Sequence, residues 1–247
     1  MIAALPSREE RKLPSREERK KGAAEIALGG AALVADASGA LYWPRERLLV
    51  VADMHLEKGS SFARSGQLLP PYDTRATLAR LGGAIGRYDP RAVLALGDSF
   101  HDGDGPARLA DDDRGALVAM QRGRDWIWLA GNHDPDPAVD IGGIFSGTLT
   151  IGPLTFRHEP TAADSRVEIA GHLHPVARVA ARGRSVSRRC FAGHDRRLVM
   201  PAFGAYAGGL NVRHRAFADV FGTLAFTAHL LGEARVFAVA GANCLPD

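Results

Sequence analysis

Short apolar runs alternate with amphipathic stretches along most of this chain, regularly enough to place elements. Leu48–Ala52, Ala92–Leu96 and Trp126–Ala130 are continuous apolar runs of strand length, as buried strands show. Between the first two, Pro71-Tyr-Asp-Thr marks a helix start with Asp73 as N-cap, and Leu78, Leu81, Ile85 and Tyr88 then share one helical face. Gly82, Gly83 and Gly86 weaken that helix without cancelling it. Leu109–Gln121 predicts a second helix. Strands alternating with helices predict an α/β sheet whose strands are largely parallel. Past residue 176 the rhythm changes to strands and turns, at Val176–Ala181, Ser185–Phe191, Arg197–Met200, Gly222–Leu230 and Arg235–Ala240. That predicts a second sheet packed on the first.

Polar clusters stand at the ends of the early runs. The first run leads into Asp53-Met-His55, the second into Gly97-Asp98 and the third into Gly131-Asn132-His133-Asp134. Later, Leu154–Arg157 leads into His158-Glu159, and Val167–Ala170 into Gly171-His172-Leu-His174. Ligands of open α/β sheets sit outside the carboxyl ends of strands, so five clusters at five such ends are expected to converge. A glycine directly before three of them lets the backbone turn and approach closely. Asp, Asn and His offer oxygen and imidazole nitrogen without sulfur, a set suited to Mn, Fe or Zn. An aspartate bridges two cations through its two oxygens, and a pair of metals clamps the attacking and leaving oxygens of a phosphoryl displacement. One DxH or HxH is common, but five of the nine histidines fall in these clusters, which carries the metal reading.

Composition narrows the class. At 247 residues, 46% apolar and 24% charged, the chain suits one soluble enzyme domain. The longest uncharged stretch worth checking, Leu198–Val212, is too short and too glycine-broken to span a membrane, and the N-terminus lacks a signal-peptide pattern, so a cytoplasmic location is expected. Two cysteines without a CxxC are read as idle thiols. LPSREERK occurs twice, at Leu5–Lys12 and Leu13–Lys20, and residues 1–22 are read as a charged tail ahead of a domain over 23–247. Net charge is only +3, but Arg178–Arg215 holds nine arginines and one acidic residue, a pattern that suits an anionic polymer.

DxH, GD, GNHD, a lone His and GHxH, in this order over Leu48–His174, resemble the calcineurin-like metallophosphoesterases. The resemblance implies an α/β fold, a four-layer α/β/β/α sandwich of two mixed sheets flanked by helices. It also implies two divalent metal ions, manganese first, with Fe, Zn or Mg as alternatives. Carried over residue by residue, Asp53, His55, Asp98 and His174 would hold one metal. Asp98, Asn132, His158 and His172 would hold the other, with Asp98 bridging. His133 would serve the leaving oxygen as proton donor or stabiliser, oriented by His101 or Asp102. The longer strings DMHLEKGSSFARSGQLLPPYDTRATLARL, LGDSFHD, RHEP, EIAGHLHP, RRCFA and PAFGAYAGGLNV resemble the bacterial ligase-associated DNA damage response endonucleases. That likeness implies a DNA endonuclease acting on single-stranded or damaged DNA, with a DNA ligase and a helicase as partners.

The superfamily's protein phosphatases carry GDxxDRG and an arginine before GNHE. Here Gly97-Asp-Ser-Phe-His101-Asp102-Gly103 has no arginine following, and Ala130 stands before Gly131. A monoanionic diester therefore fits better than a dianionic monoester. Lys58, Arg64, Arg157, Arg188, Arg189 and Tyr206 are candidate substrate contacts. His194, His214 and His229 have no metal-like spacing and are read as structural. The competing readings are a phosphodiesterase for a small cyclic or nucleotide substrate, and a catalytically silent scaffold. A scaffold would show a lost ligand, and none is missing.

Overall fold

The computed structural model describes residues 22–136, 141–161, 166–181, 183–222 and 225–247; the duplicated segment within residues 1–21 lies outside them. The first sheet contains β1 (Ala24–Leu28), β2 (Ala31–Ala35), β3 (Leu41–Trp43), β4 (Leu48–Val51), β5 (Ala92–Ala95), β6 (Asp125–Leu129) and β7 (Ile144–Ser146), side by side in that order. The parallel half runs from β4 to β7, as the alternation predicts. Its other half corrects that expectation, because β1 to β4 form an antiparallel meander closed by short turns. Connections of two to five residues leave no room for the crossover that parallel neighbours require.

The second sheet is mixed. Its central order is β14 (Leu210–Asn211), β11 (Pro175–Ala181), β12 (Arg184–Gly193), β13 (Arg197–Val199), β10 (Val167–Ala170), β9 (Leu154–Arg157) and β8 (Thr148–Ile151). A branch adds β15 (Thr227–Leu231) on β12 and β16 (Val236–Ala240) on β15. The strand expected over Gly222–Leu230 begins later, in part because Arg215–Phe221 forms a helix that ends at Gly222. Residues 223 and 224 lie outside the described residues.

Alternation along each strand builds the layers. Leu48, Val50, Leu94, Leu96 and Leu129 meet Leu154, Phe156, Ile169, Phe191, Leu198 and Met200 between the sheets. Leu49, Val51, Val93, Ala95, Trp126 and Trp128 face the other way, against Leu78, Leu81, Ile85 and Leu117. Those four come from α2 (Asp73–Tyr88) and α4 (Asp111–Gln121). Cys190, Ala192 and Val199 pack outward onto Phe217, Val220 and Phe221 of α5 (Arg215–Phe221). The result is helix, sheet, sheet, helix.

Two short helices, α1 (Lys58–Arg64) and α3 (Gly105–Arg108), sit above the first sheet's carboxyl edge. Asp73 does not cap its own helix. Tyr72 occupies that position without a side-chain cap, and the Asp73 carboxylate instead accepts from Gly59 N (3.0 Å) in the first turn of α1. A seven-residue helix with two serines and a glycine has little intrinsic stability, so a cap from outside helps fix it.

Candidate metal centre

The strand-end clusters converge as expected. Asp53 and His55 follow β4, Asp98 follows β5, Asn132 and His133 follow β6, His158 follows β9, and His172 and His174 follow β10. Eight described non-glycine residues have positive φ, and five of them are Asp53, His55, Asp98, His172 and His174, at φ 43–68°. Side chains enter this region at a cost of roughly 1–2 kcal/mol each, so strain concentrates where the clusters meet. Gly97 (φ 75°) and Gly131 make room for the approach. A Cβ on Gly97 would lie 2.7 Å from the His158 ring, and one on Gly131 would strike Asp98 N.

Two groups of potential ligand atoms result. In one, His55 Nε2 faces His174 Nε2 at 3.3 Å, and His174 Nε2 lies 3.2 Å from Asp53 Oδ1. In the other, Asn132 Oδ1 lies 2.8 Å from His158 Nε2 and 3.0 Å from His172 Nδ1. His158 Nδ1 is 2.9 Å from the Leu96 carbonyl, which only accepts, so that nitrogen carries the hydrogen. Its Nε2 therefore presents a lone pair in the neutral ring. Asp98 stands between the groups, with Oδ1 3.4 Å from His158 Nε2 and Oδ2 3.8 Å from His55 Nε2. Burial, with the neighbouring histidines, pushes His55 down to about 2, which favours its neutral ring.

The His158 Nε2 lone pair aimed at Asn132 Oδ1 is repulsive unless something positive lies between them. A proton serves one pair, whereas a cation bound through N and O donors serves a whole group. Asp53, His55 and His174 form one such group and Asp98, His158 and His172 another, each with donor atoms within 4.8 Å of one another. This donor set fits two borderline or hard divalent cations.

His133 is placed beside the groups. Its backbone N donates to Asp98 Oδ1 (2.9 Å), and its Nδ1 donates to the His101 carbonyl (2.7 Å), leaving Nε2 4.0 Å from Asp98 Oδ2. Neither candidate side chain provides that orienting bond. The Asp102 carboxylate is gripped by both terminal nitrogens of Arg108, each at 2.8 Å. The His101 ring stacks on His133 with centroids 5.1 Å apart, and its Nδ1 meets His55 Nδ1 at 3.4 Å. A main-chain carbonyl does the orienting, which a side-chain motif cannot announce.

Asp134 is the residue the sequence reading passed over. Its Oδ2 accepts from Ser99 N (2.8 Å) and Phe100 N (3.1 Å), tying the loop after β6 to the loop after β5; burial raises its pKa to about 6. Its place in the GNHD string was the available signal.

The expected substrate contacts divide. Lys58 lies over the Phe62 ring at 5.5 Å, close enough to lower the pKa of His101 and His55 after burial has done most. Arg188 is exposed. Tyr206 is half-buried. Arg64 pairs with Asp104 at 2.8 Å on the surface. Two expectations are corrected. Arg157 lies on the outer face of the second sheet, 3.4 Å from Glu168, which also holds Arg197 at 3.0 Å. Arg189 donates to the carbonyls of Ala202, Gly204, Ala205 and Ala207 at 2.8–3.3 Å, so its guanidinium is committed to the fold. His214, read as structural, caps α5 by accepting from Ala216 N.

Among known proteins, residues 46–244 match the calcineurin-like phosphoesterase family. The solved structure of Pseudomonas putida nuclease MPE is 26% identical, with a TM-score of 0.67, covering 87% of this chain and 100% of that one. A conserved Streptococcus pneumoniae protein described as a predicted phosphoesterase is 12% identical with a TM-score of 0.31, covering 78% and 96%, too slight a likeness to argue from. No curated protein matches. No described helix is long and apolar enough to cross a membrane. With its ligand groups at the strand ends and the match spanning most of its length, the chain belongs to the calcineurin-like phosphoesterase family and is a metal-dependent phosphoesterase.

Proposed function

We propose that the chain is a DNA endonuclease that works on single-stranded or damaged DNA in a repair setting, with a DNA ligase and a helicase as partners and Mn²⁺ as the preferred metal. The observation that carries the nuclease reading is the likeness to nuclease MPE over that protein's whole length. Charge around the centre supports a diester. Arg108 and Arg157 are paired with Asp102 and Glu168, and among the described residues Lys58 is the cation whose charge acts on His101. A dianionic monoester would need more.

The β11–β12 hairpin supports a polymer. Ala192 pairs with Val199, which is level with Ala170 just before the GHLH cluster. Traced back from Ala192, β12 rises eight residues past that edge to Arg184, about 25 Å of ribbon beside the centre. Arg184 and Arg188 are exposed along it and lie on one face, since Arg184 pairs with Ala181 and Arg188 with Ala177.

In the chemistry, Asp53, His55, Asp98 and His174 would hold one cation and Asp98, Asn132, His158 and His172 the other. When bound, the two cations polarise the phosphoryl oxygens, offset their charge and activate water. Asp98, fixed by His133 N, holds both groups in register. His133, its Nδ1 hydrogen anchored on the His101 carbonyl, presents Nε2 to the leaving oxygen and, as the doubly protonated imidazolium, would give up its Nε2 proton there and return to the neutral ring.

The test is a side-by-side assay of metal-stripped protein given Mn²⁺, using a bis-aryl phosphate, the matching mono-aryl phosphate, single-stranded circular DNA and cyclic nucleotides. Diesters are expected to turn over much faster than the monoester, and circular DNA to be opened. Preference for the monoester overturns the diester reading; turnover of cyclic nucleotides with DNA left intact replaces the nuclease by a small-molecule phosphodiesterase.

A further inference from the structure

The segment Pro201–Gly209 crosses from one end of the ligand set to the other. Phe203 N donates to the Ala52 carbonyl (2.8 Å) and Gly204 N to that of Asp53 (3.1 Å), and just beyond the segment Leu210 N donates to that of His174 (3.0 Å). Contact at both ends is direct. A Cβ on Gly204 would strike the Met54 carbonyl, and one on Gly209 would lie 2.8 Å from the His174 carbonyl. Asp53 and His174 belong to the same ligand group, so this loop forms one border of it.

The loop is held from behind by guanidinium groups. Arg80 Nη1 donates to the Phe203 carbonyl (2.8 Å), and Arg189 takes the carbonyls of Ala202, Gly204, Ala205 and Ala207. Thr77 Oγ1 accepts from Ala205 N (3.0 Å). Charge-assisted bonds to five carbonyls leave the loop little freedom to rearrange. At its crest is a turn, Gly204–Ala207, closed by Ala207 N on the Gly204 carbonyl (3.4 Å), with Ala205 and Tyr206 at the corner. Phe203 and Ala207 are buried, whereas Tyr206 is only half-buried. Its Cα is two steps along the chain from that of Gly204 and three from that of Gly209, so it lies within about 7 Å and about 11 Å of them. The backbone of Tyr206 is thus held close to the two loop ends that touch Asp53 and His174.

We propose that Tyr206 is a nucleobase platform. Its ring stacks on the base next to the scissile phosphate, while Arg80 and Arg189 hold the loop without touching the nucleic acid. Stacking tolerates any base, because every base has a π-face, so the platform adds grip without sequence choice. The proposal rests on the nuclease reading above.

The test uses a dinucleoside phosphate, which has one scissile bond, and analogues in which either base is replaced by a tetrahydrofuran residue. For the unaltered protein with Mn²⁺, kcat/KM is expected to fall about tenfold when the base on one particular side is removed, the loss of one base–ring stack. Tyr206→Leu is expected to lose about as much on the intact substrate and nothing further on that analogue, whereas Tyr206→Phe keeps the penalty. If Tyr206→Leu keeps the full penalty, the platform is overturned and the nuclease reading stands. Should Tyr206→Leu unfold, Tyr206→Phe decides alone: retention of the penalty supports the platform, and its disappearance overturns it. If the unaltered protein leaves both dinucleotide and longer DNA uncut while hydrolysing a small aryl diester, the nuclease reading fails and the platform with it.

Discussion

Asp36 and Asp98 are both nearly fully buried, at 3% and 2% exposure, yet they meet opposite surroundings. Asp36, after β2, receives the Tyr88 hydroxyl at 2.6 Å, Ser38 N at 2.8 Å and Arg87 Nη1 at 2.8 Å. Asp98, after β5, receives one backbone donor among the described residues, His133 N, and otherwise faces the ring nitrogens of His158 and His55 at 3.4 and 3.8 Å. One carboxylate is neutralised by the chain itself. The other sits among these ring nitrogens in a strained backbone (φ 45°) and is neutralised only by something brought in. A buried charge matched from within reports architecture; one left unmatched reports function.

The largest expected effect breaks the unmatched side. Asp98→Asn should lower activity on a small diester by more than the roughly 10–100-fold cost of removing an outer-shell partner, since it takes a ligand from both groups. Metal stoichiometry measured by calorimetry with Mn²⁺ should fall, while the metal-free protein melts no lower than the parent. His133→Ala, by contrast, should keep both metals and lose about 10²–10⁴-fold in rate. An Asp98→Asn protein that binds two metals normally, or that collapses without metal, would place Asp98 with Asp36 as an architectural residue.

That distinction shows what was legible in the sequence. The strand-end clusters were readable because each ligand follows a continuous apolar run, and the type of residue at a strand's carboxyl end survives any uncertainty in register. Facing was not readable. Arg157 and Arg189 stand beside motif residues, but neighbours on a strand point to opposite faces, and only the finished sheet shows which side holds Glu168 or the Ala202–Ala207 carbonyls. The His101 carbonyl was invisible for another reason: every residue has one. The helix Lys58–Arg64 escaped because its cap comes from Asp73, fourteen positions away.

The matched side offers a smaller effect, read as stability. Burial alone would raise the Asp36 pKa, but the hydrogen bonds from Tyr88 and Ser38 and the charge of Arg87 outweigh it and hold it below the usual value. A depressed folded pKa means that stabilisation is complete above the unfolded value of about 3.9 and is lost as pH falls through the folded one. Asp36→Asn should therefore cost about 1–3 kcal/mol at neutral pH and flatten the dependence of stability on pH below about 4. The Arg87 side chain is 46% exposed, so most of that cost belongs to the buried Tyr88 and Ser38 bonds. Denaturant unfolding at several pH values checks it. Addition of Mn²⁺ should raise both proteins' stability equally, because the metals do not touch Asp36; unequal gains would couple the two regions.

The smallest effect carries the comparison to cations, where Arg188 and Arg189 are adjacent on β12 and point to opposite faces. The Arg189 guanidinium is matched by four carbonyls. That of Arg188 is exposed and, among the described residues, reaches the carbonyl of its own neighbour, Ser187, at 3.0 Å. By the logic drawn from the aspartates, Arg189 belongs to the fold and Arg188 is available to a partner. Arg189→Ala should thus lower the melting temperature and weaken turnover of small diesters and DNA together, since the loop bordering Asp53 and His174 loses its hold. Arg188→Ala should leave melting and small-diester turnover unchanged. Its effect appears in the salt dependence of single-stranded DNA binding, where the slope should flatten by about 0.7 for one lost phosphate contact, and Arg184→Ala should add a similar step. The effect is small because each arginine is one contact among several, but its sign is specific: a folding defect does not alter counterion release. If the slope stays constant through both substitutions, the ribbon is a solvated face, and the polymer must reach the metals by another route.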